Sequence, residues 1–195
     1  MAYVKILRGR NLFAVEEYIF NGRDFDDPVV YNDCTEGSVA NQMHVIQHRH
    51  GKAKLDAIHI VQSFSSEDSK KLIPEQYTEQ GEELVQKMFP GHQFAVVTHT
   101  DTDKMHNHII VNPVNLKTGK RIQNKKRLLY DLRAESDRIA LDRGLSIIDK
   151  QSRISWENLP EDVQDLISSF SSEPLFIKNA VRIIEGIRAE AVPSD

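Results

Sequence analysis

Four stretches of the chain have the dense β-branched and aromatic composition that is typical of strands. The last two are separated by only four turn-forming residues, Asp101 to Lys104, which is the spacing of a hairpin. The predicted strands run from Ala2 to Leu7, from Ala57 to Phe64, from Gln93 to Thr100 and from Met105 to Val114.

Between and after these strands, apolar residues recur at intervals of three and four, which predicts amphipathic helices. Asn11 is a suitable N-cap for the first helix, Pro74 suits the start of the third, and Gly144 lies where the fourth should end. Residues 23–37 are rich in turn formers and are predicted to be irregular. The predicted helices run from Leu12 to about Asn21, Ser38 to about Arg49, Pro74 to Pro90, Leu128 to just before Gly144, Leu159 to Phe170 and Leu175 to Ala189.

The mixture of strands and helices predicts an α+β domain over residues 1–150. Residues 151–195 are predicted to be a helical acidic extension that packs on this domain or continues it. No internal repeat or low-complexity linker separates the two parts.

The composition is that of an ordinary globular protein, with 39% hydrophobic and 28% charged residues in a chain of 195. The single cysteine, Cys34, excludes both an intramolecular disulfide and a cysteine-rich zinc site, which favours a reducing, cytoplasmic location. No apolar run approaches the ~20 residues that cross a bilayer, so no membrane insertion is expected.

The net charge of −4 is unevenly distributed and does not exclude a nucleic-acid partner. All of the excess acidity lies in residues 151–195, and residues 1–150 are neutral. Between Asn115 and Arg133, seven basic residues face only one acidic residue, Asp131. Such a dense cationic stretch is suited to meeting phosphates.

Three histidines fall within ten residues across the predicted hairpin. Because strand side chains alternate, His106 and His108 should project from one face while Ile109 and Val111 point to the core. The hairpin can bring His99 opposite them. Three converging imidazoles with open coordination positions predict a divalent-metal site, and imidazole suits Mn, Co, Ni or Zn better than Mg.

Asp101, two residues after His99, has two interpretations. It could orient an imidazole or accept a proton as a general base. It could equally be a turn former, as aspartates in hairpin loops commonly are.

The run His99-x-Asp101-x-x-x-x-His106-x-His108, followed by Val111-Asn112, resembles the third motif of conjugative and mobilisation relaxases. These are single-strand DNA transesterases of the HUH superfamily, and the resemblance is closest to the MobP-type branch. Asn11 to Ile19 resembles their first motif and His59 to Phe64 their second, in the family's order. The resemblance covers Met1 to Leu145.

The resemblance implies a five-stranded antiparallel sheet with helices packed on it and a tyrosine helix above the metal-binding histidines. Tyr18 would be the nucleophile, with Tyr31 as the next candidate, while Tyr3, Tyr77 and Tyr130 are predicted to be structural. Ser63 would contact DNA near the cleaved phosphate. His59 has two interpretations, a group that supports the ligands or a residue on the strand surface.

The implied activity is metal-dependent nicking and rejoining of one strand at an origin of transfer, through a 5′-phosphotyrosyl intermediate. The expected metal is Mn or Mg, with Ni, Co and Zn as further candidates. The expected partners are single-stranded origin DNA, accessory relaxosome proteins and a type IV secretion coupling protein, and the protein could travel with the DNA into a recipient cell. The residues predicted to bind DNA are Ser63, Lys120, Arg121, Lys125, Lys126 and Arg127.

Three other functions use much of the same pattern. A replication-initiator nuclease shares the chemistry, but generally places its tyrosine helix after the His-x-His strand, whereas Tyr18 precedes it. A metallohydrolase using activated water would leave no protein-linked DNA. A catalytically silent, metal-containing DNA-binding protein would not cleave at all.

Overall fold

The computed structural model describes residues 3–7, 11–21, 24, 26–51, 56–123 and 126–147. The described residues form strands β1 (Tyr3–Leu7), β2 (Val29–Asn32), β3 (Ile58–Ser63), β4 (Phe94–His99) and β5 (His106–Val111). They also form helices α1 (Leu12–Asn21), α2 (Val39–Arg49), α3 (Pro74–Met88) and α4 (Lys126–Asp142). The predicted helices and boundary beyond residue 147 lie outside the described residues.

The five strands form one antiparallel sheet in the order β1-β3-β5-β4-β2, which confirms the α+β fold. The four strands predicted from composition are present within a few residues of their predicted ends. The prediction that residues 23–37 are irregular is wrong at one point, because Val29–Asn32 forms the edge strand β2. This strand is only four residues long and half-buried throughout, so it shows no alternation that the sequence could reveal.

Helices cover both faces of the sheet. Apolar residues of α3 and α4, including Leu84 and Leu132, pack with Ile109 and Val111 on one face. Residues of α1 and α2, including Val15 and Met43, pack with Ile110 on the other. The inner strands β3, β4 and β5 are therefore buried on both faces, and their residues alternate between two cores.

Local hydrogen bonds determine where the helices begin. The Asn11 side chain accepts from the Phe13 amide at 2.9 Å, which confirms the predicted cap of α1. Ser38 caps α2 by accepting from the Asn41 amide, and Glu16 of α1 accepts from the Ala40 amide at 2.8 Å. This last bond ties the start of α2 to α1.

The strand register places residues in lateral rows across the sheet. One row, which we call the ligand row, contains Tyr3, Ser63, His106 and His99. The adjacent row, which we call the polar row, contains Gln62, Asn107 and Thr98 and faces α3 and α4. The next row carries Lys5, Val61, His108 and Val97 on the same face as the ligand row.

None of the helices in the described part of the chain is both long and apolar enough to cross a membrane.

Candidate active site

His99, His106 and His108 converge on the face of the sheet that α1 covers. Their ring centroids lie 4.6 Å apart for His99 and His108, 5.1 Å for His106 and His108, and 5.2 Å for His99 and His106. One nitrogen from each ring lies within 4.8 Å of the others. The structure thus brings together the three residues that the sequence predicted as ligands.

Hydrogen bonds to the outer side of each ring orient these histidines. His99 Nε2 lies 3.0 Å from the Ile19 carbonyl and His106 Nδ1 lies 3.0 Å from the Lys104 carbonyl. Because a carbonyl only accepts, these nitrogens carry the protons, which leaves His99 Nδ1 and His106 Nε2 as lone-pair donors. His108 Nδ1 lies 2.9 Å from His59 Nε2, so His108 offers Nε2 when its Nδ1 donates to His59.

The donor set fits a divalent transition metal. Two imidazole nitrogens bound to one ion at about 2.1 Å are at most about 4.2 Å apart, so the widest observed separation closes with a small side-chain adjustment. Three imidazoles leave coordination positions for oxygens of a substrate. His106 is half-buried while His99 and His108 are buried, so access is from the His106 side.

The buried rings are held neutral, as ligation requires. The pKa of His108 is lowered to about 3, chiefly by burial and in smaller part by the neighbouring charges of His99, His59, His106 and Lys5. The pKa of His99 is also lowered, chiefly by burial and then by His106, against the opposing effect of the Ile19 carbonyl and nearby carboxylates. Crowded imidazoles that resist protonation are available to bind a cation with lone pairs.

Tyr18 of α1 lies directly over this cluster. Its ring meets His108 edge-on at 5.5 Å and His59 at 5.7 Å between centroids, and 52% of the residue is exposed. Tyr31 instead stacks on Phe20 at 6.4 Å, in strand β2. Of the two tyrosines that the sequence offers as candidate nucleophiles, Tyr18 is therefore the one whose ring lies against a histidine of the cluster.

Asp101 and Ser63 lie at the rim of the cluster. The Asp101 Oδ1 is 3.9 Å from His106 Nε2, and its side chain is 47% exposed. Ser63 is half-buried in the ligand row beside His106. Both residues are close enough to the histidines to meet a phosphate bound there.

Among the basic residues predicted to bind DNA, Arg121 lies far from the histidines. Arg121 pairs with Asp56 at 2.5 Å, next to the start of β3, whereas His106 lies at the opposite end of β5, about 16 Å along the strand. Lys120 is exposed, and Arg127 is exposed near Asp131 at 3.5 Å. Lys125 lies outside the described residues, and of Lys126 only the backbone is described, as the first residue of α4.

The polar row behind the three histidines was not predicted from the sequence. Asn107, between the two strand histidines, is fully buried on the opposite face. Its Oδ1 accepts from Thr98 at 2.7 Å, and its Nδ2 donates to Gln62 at 2.9 Å and to the Tyr77 carbonyl at 2.6 Å. The signal was available, because an asparagine at a core-facing strand position needs partners on the buried side.

A buried carboxylate beside His99 was also missed. Asp27 accepts from the Thr100 amide at 3.2 Å and from its hydroxyl at 2.7 Å. This contact fixes the end of β4, next to His99, to the connection between α1 and β2.

Comparisons with known proteins agree on one family. Residues 18–145 match the relaxase family model described as MobA/VirD2-like, nuclease domain. The chain is 40% identical over 97 residues to protein rlx of Staphylococcus aureus, covering 50% of this chain and 28% of that protein. It is 37% identical to the group II intron-interrupted relaxase LtrB of Lactococcus lactis subsp. cremoris, covering 47% of this chain and 18% of that protein.

The fold is also found in a solved structure, the MobM relaxase domain (MOBV; Mob_Pre) bound to 26nt pMV158 oriT DNA. The TM-score is 0.53 at 12% sequence identity, over 75% of this chain and 88% of that one. The matches to the curated relatives, in contrast, span less than a third of each relative's length.

Proposed function

The chain belongs to the relaxase family with a MobA/VirD2-like nuclease domain, and on that premise we propose that it nicks and rejoins one DNA strand at an origin of transfer. The observation that carries this proposal is the position of Tyr18, whose ring lies 5.5 Å from His108 in a group of three converging imidazoles. A nucleophile and a phosphate-activating site then lie on the same side of the sheet.

His99, His106 and His108 would hold the divalent metal, which when bound draws charge from the non-bridging oxygens of the scissile phosphate. Their outer hydrogen bonds keep the three rings aimed at one point. Burial and the neighbouring imidazoles lower the pKa of His99 and of His108, which keeps these two rings neutral at physiological pH. Mn or Mg is the proposed ion, with Ni, Co and Zn as further candidates.

Tyr18 attacks the phosphorus in line with the bond to the 3′-oxygen. A Tyr18 Oη–P bond forms, the P–O3′ bond breaks, and the departing 3′-oxygen takes a proton from solvent water to become a hydroxyl. We assign the tyrosine proton to Asp101, whose carboxylate lies at the open rim of the cluster. The 5′-phosphotyrosine preserves the energy of the phosphodiester, so the reverse reaction can rejoin a strand without ATP.

Other parts of the chain are proposed to hold the DNA. Ser63 is suited to donate to a phosphate next to the cleaved one, because it lies beside His106 in the ligand row. The basic residues after β5 would contact the strand away from the cleaved bond, since the structure places Arg121 at the other end of the sheet. They are Lys120, Arg121, Lys125, Lys126 and Arg127.

We propose a cytoplasmic protein that acts with accessory relaxosome proteins and a type IV secretion coupling protein. Residues 1–150 would form the catalytic domain and residues 151–195 a helical extension. The family model ends at residue 145, within the proposed catalytic domain.

The decisive test is incubation of the full chain with Mn²⁺ and labelled single-stranded oligonucleotides that cover a candidate transfer origin. Denaturing electrophoresis and peptide mapping should find DNA linked through its 5′ end to Tyr18. Tyr18→Phe should abolish the adduct, and the matched variant Tyr31→Phe should keep it. At limiting Mn²⁺, His106→Ala should lower adduct formation.

Other outcomes select other functions. Cleavage without an adduct would identify a metallohydrolase. Metal-dependent DNA binding with no cleavage of any origin strand would favour the silent binding protein. An adduct on Tyr31 would keep the activity and overturn the nucleophile.

A further inference from the structure

The face that carries the histidines extends beyond them to the open edge of the sheet. Tyr3 of the edge strand β1 pairs with Ser63 and so continues the ligand row. Lys5 continues the row of His108 on the same face. Because neighbouring strands are about 4.8 Å apart, the Tyr3 backbone lies about 10 Å from that of His106. A nucleotide adjacent to a phosphate held at the histidines can reach this distance.

The Tyr3 ring is presented to solvent and supported by an arginine from α4. The residue is 41% exposed, and the Arg133 guanidinium carbon lies 5.5 Å from its ring centroid. The Arg133 Nε donates to the Val4 carbonyl at 3.1 Å, so the guanidinium is fixed at the β1 edge. A planar cation held at an aromatic ring is a preorganised stacking surface.

Arg133 belongs to the cationic stretch of the sequence and lies on α4, about 9 Å along the helix from Arg127. Helix α4 packs against β1 and carries Arg133 from the region of Arg127 to the end of the sheet where the ligand row lies. Tyr3 and Lys5 therefore lie in register with the candidate active site, and α4 holds the Arg133 guanidinium beside the Tyr3 ring. Proteins that bind single strands combine these groups, because every base has a π-face and every nucleotide a phosphate.

We propose that Tyr3 and Arg133 form a subsite that stacks a base of the DNA strand next to the scissile phosphate, with Lys5 attracting the phosphate of that nucleotide. This subsite rests on the proposed function, because the DNA strand that reaches it is the one whose phosphate is held at the three histidines. It accepts any base, because it offers a stacking surface.

The alternative is that these residues have only a structural role at the sheet edge, and the experiment must distinguish that role from DNA binding. Exposed edge strands are commonly protected by lysines and bulky side chains against pairing with other chains. In that case Tyr3 would affect solubility or self-association but not the path of DNA.

The experiment uses photo-crosslinking of the full chain with Mn²⁺ and a short oligo-dT that carries a single 5-iodouracil. Irradiation should link the base to the peptide containing Tyr3. Tyr3→Ala should weaken oligo-dT binding, measured by fluorescence anisotropy, roughly five- to a hundredfold, the range for one stacked base. Tyr3→Phe should stay within about twofold of the unmodified chain, because the phenyl ring still stacks.

The matched control is Tyr130→Ala, which removes a tyrosine of α4 that is 68% exposed. It should leave oligo-dT binding unchanged. Arg133→Gln should weaken binding without changing the crosslinked peptide. The subsite is wrong if the crosslink maps elsewhere and Tyr3→Ala binds like the unmodified chain, or if Tyr130→Ala has the same effect as Tyr3→Ala.

A parallel assay of the Tyr18 adduct separates this inference from the proposed function. At saturating origin DNA, Tyr3→Ala should still form the adduct, with only a higher DNA concentration needed for half-maximal rate. An adduct without a Tyr3 crosslink would overturn the subsite and keep the function. A Tyr3 crosslink in a chain that forms no adduct would leave a DNA-binding face and overturn the transesterase, and with it the active-site part of this proposal.

Discussion

Replacing Asn107 by alanine should destabilise the protein far more than the loss of one small polar side chain suggests. Asn107 is fully buried between two metal-ligand candidates, and its amide makes three hydrogen bonds within the polar row and to α3. Alanine removes all of them. It leaves the side-chain oxygen of Gln62, Oε1, buried without the hydrogen bond that Asn107 Nδ2 donates to it.

The magnitude follows from these contacts. Three hydrogen bonds at about 1 kcal/mol each give a loss of about 3 kcal/mol, and the unsatisfied Gln62 oxygen makes this a lower estimate. That is a large part of the ~5–15 kcal/mol that stabilises a domain. The corresponding fall in melting temperature is about 6–12 °C for a unit of this size.

Urea denaturation followed by circular dichroism measures this free energy of unfolding. Asn41→Ala is the matched control, because Asn41 lies exposed on α2, and it should change stability by less than about 0.5 kcal/mol. Combining Asn107→Ala with Thr98→Val should give less than the sum of the two single effects, because both remove the same hydrogen bond.

A measurement of Mn²⁺ affinity then tests whether the polar row supports the candidate metal site. Since Asn107 alternates with His106 and His108 along β5, Mn²⁺ affinity by isothermal titration calorimetry should fall in Asn107→Ala at temperatures where the variant is folded. A loss of stability below 1 kcal/mol, or one equal to that of the Asn41 control, would refute the view that this row holds the strands in register.

Three further predictions concern packing, pH and cysteine chemistry. Gly81→Ala should lower the free energy of unfolding by about 1–3 kcal/mol in urea titrations despite the better helix propensity of alanine, because the new Cβ would lie 2.7 Å from Val96 Cγ1 and 2.9 Å from Asn107 Nδ2. The pKa of His108 is lowered to about 3 in the folded protein, so the unfolded chain takes up the proton first as the pH falls. The free energy of unfolding should therefore decrease between about pH 6.5 and pH 3, by up to about 1.4 kcal/mol per pH unit for His108. His108→Gln should flatten this slope. Cys34 should resist alkylation at pH 8 until the chain is unfolded, because burial raises the pKa of its thiol to about 11.

The strands and helices with a clear period could be predicted from the sequence, and β2 could not. In β5 the alternation of histidines with Ile109 and Val111 showed which side chains face the candidate site and which pack in the core. Val29–Asn32 has no such pattern, because this edge strand pairs with β4 on one side and is half-buried along its whole length. A short edge strand depends on contacts with a distant segment, and its own composition carries little of that information.

The site shows the same division between local and distant information. The convergence of the three histidines could be predicted, because the register of the hairpin itself brings them together. The cationic stretch could not be placed in space from its charge density. Asp56, 65 residues away in the sequence, neutralises Arg121, while Arg133 continues to the opposite end of the sheet beside Tyr3.

The hydrogen bond from His99 to the Ile19 carbonyl joins the metal-ligand candidate to α1, the helix that carries the proposed nucleophile Tyr18. Ile19 lies in the last turn of α1, where backbone carbonyls have no partner within the helix. His99 Nε2 satisfies that carbonyl at 3.0 Å and thereby directs its other nitrogen to the cluster. The same end of α1 carries the negative end of the helix dipole, which favours a cation nearby. Because Tyr18 immediately precedes Ile19, one contact between residues 80 positions apart sets both the tautomer of a ligand and the height of the tyrosine above it.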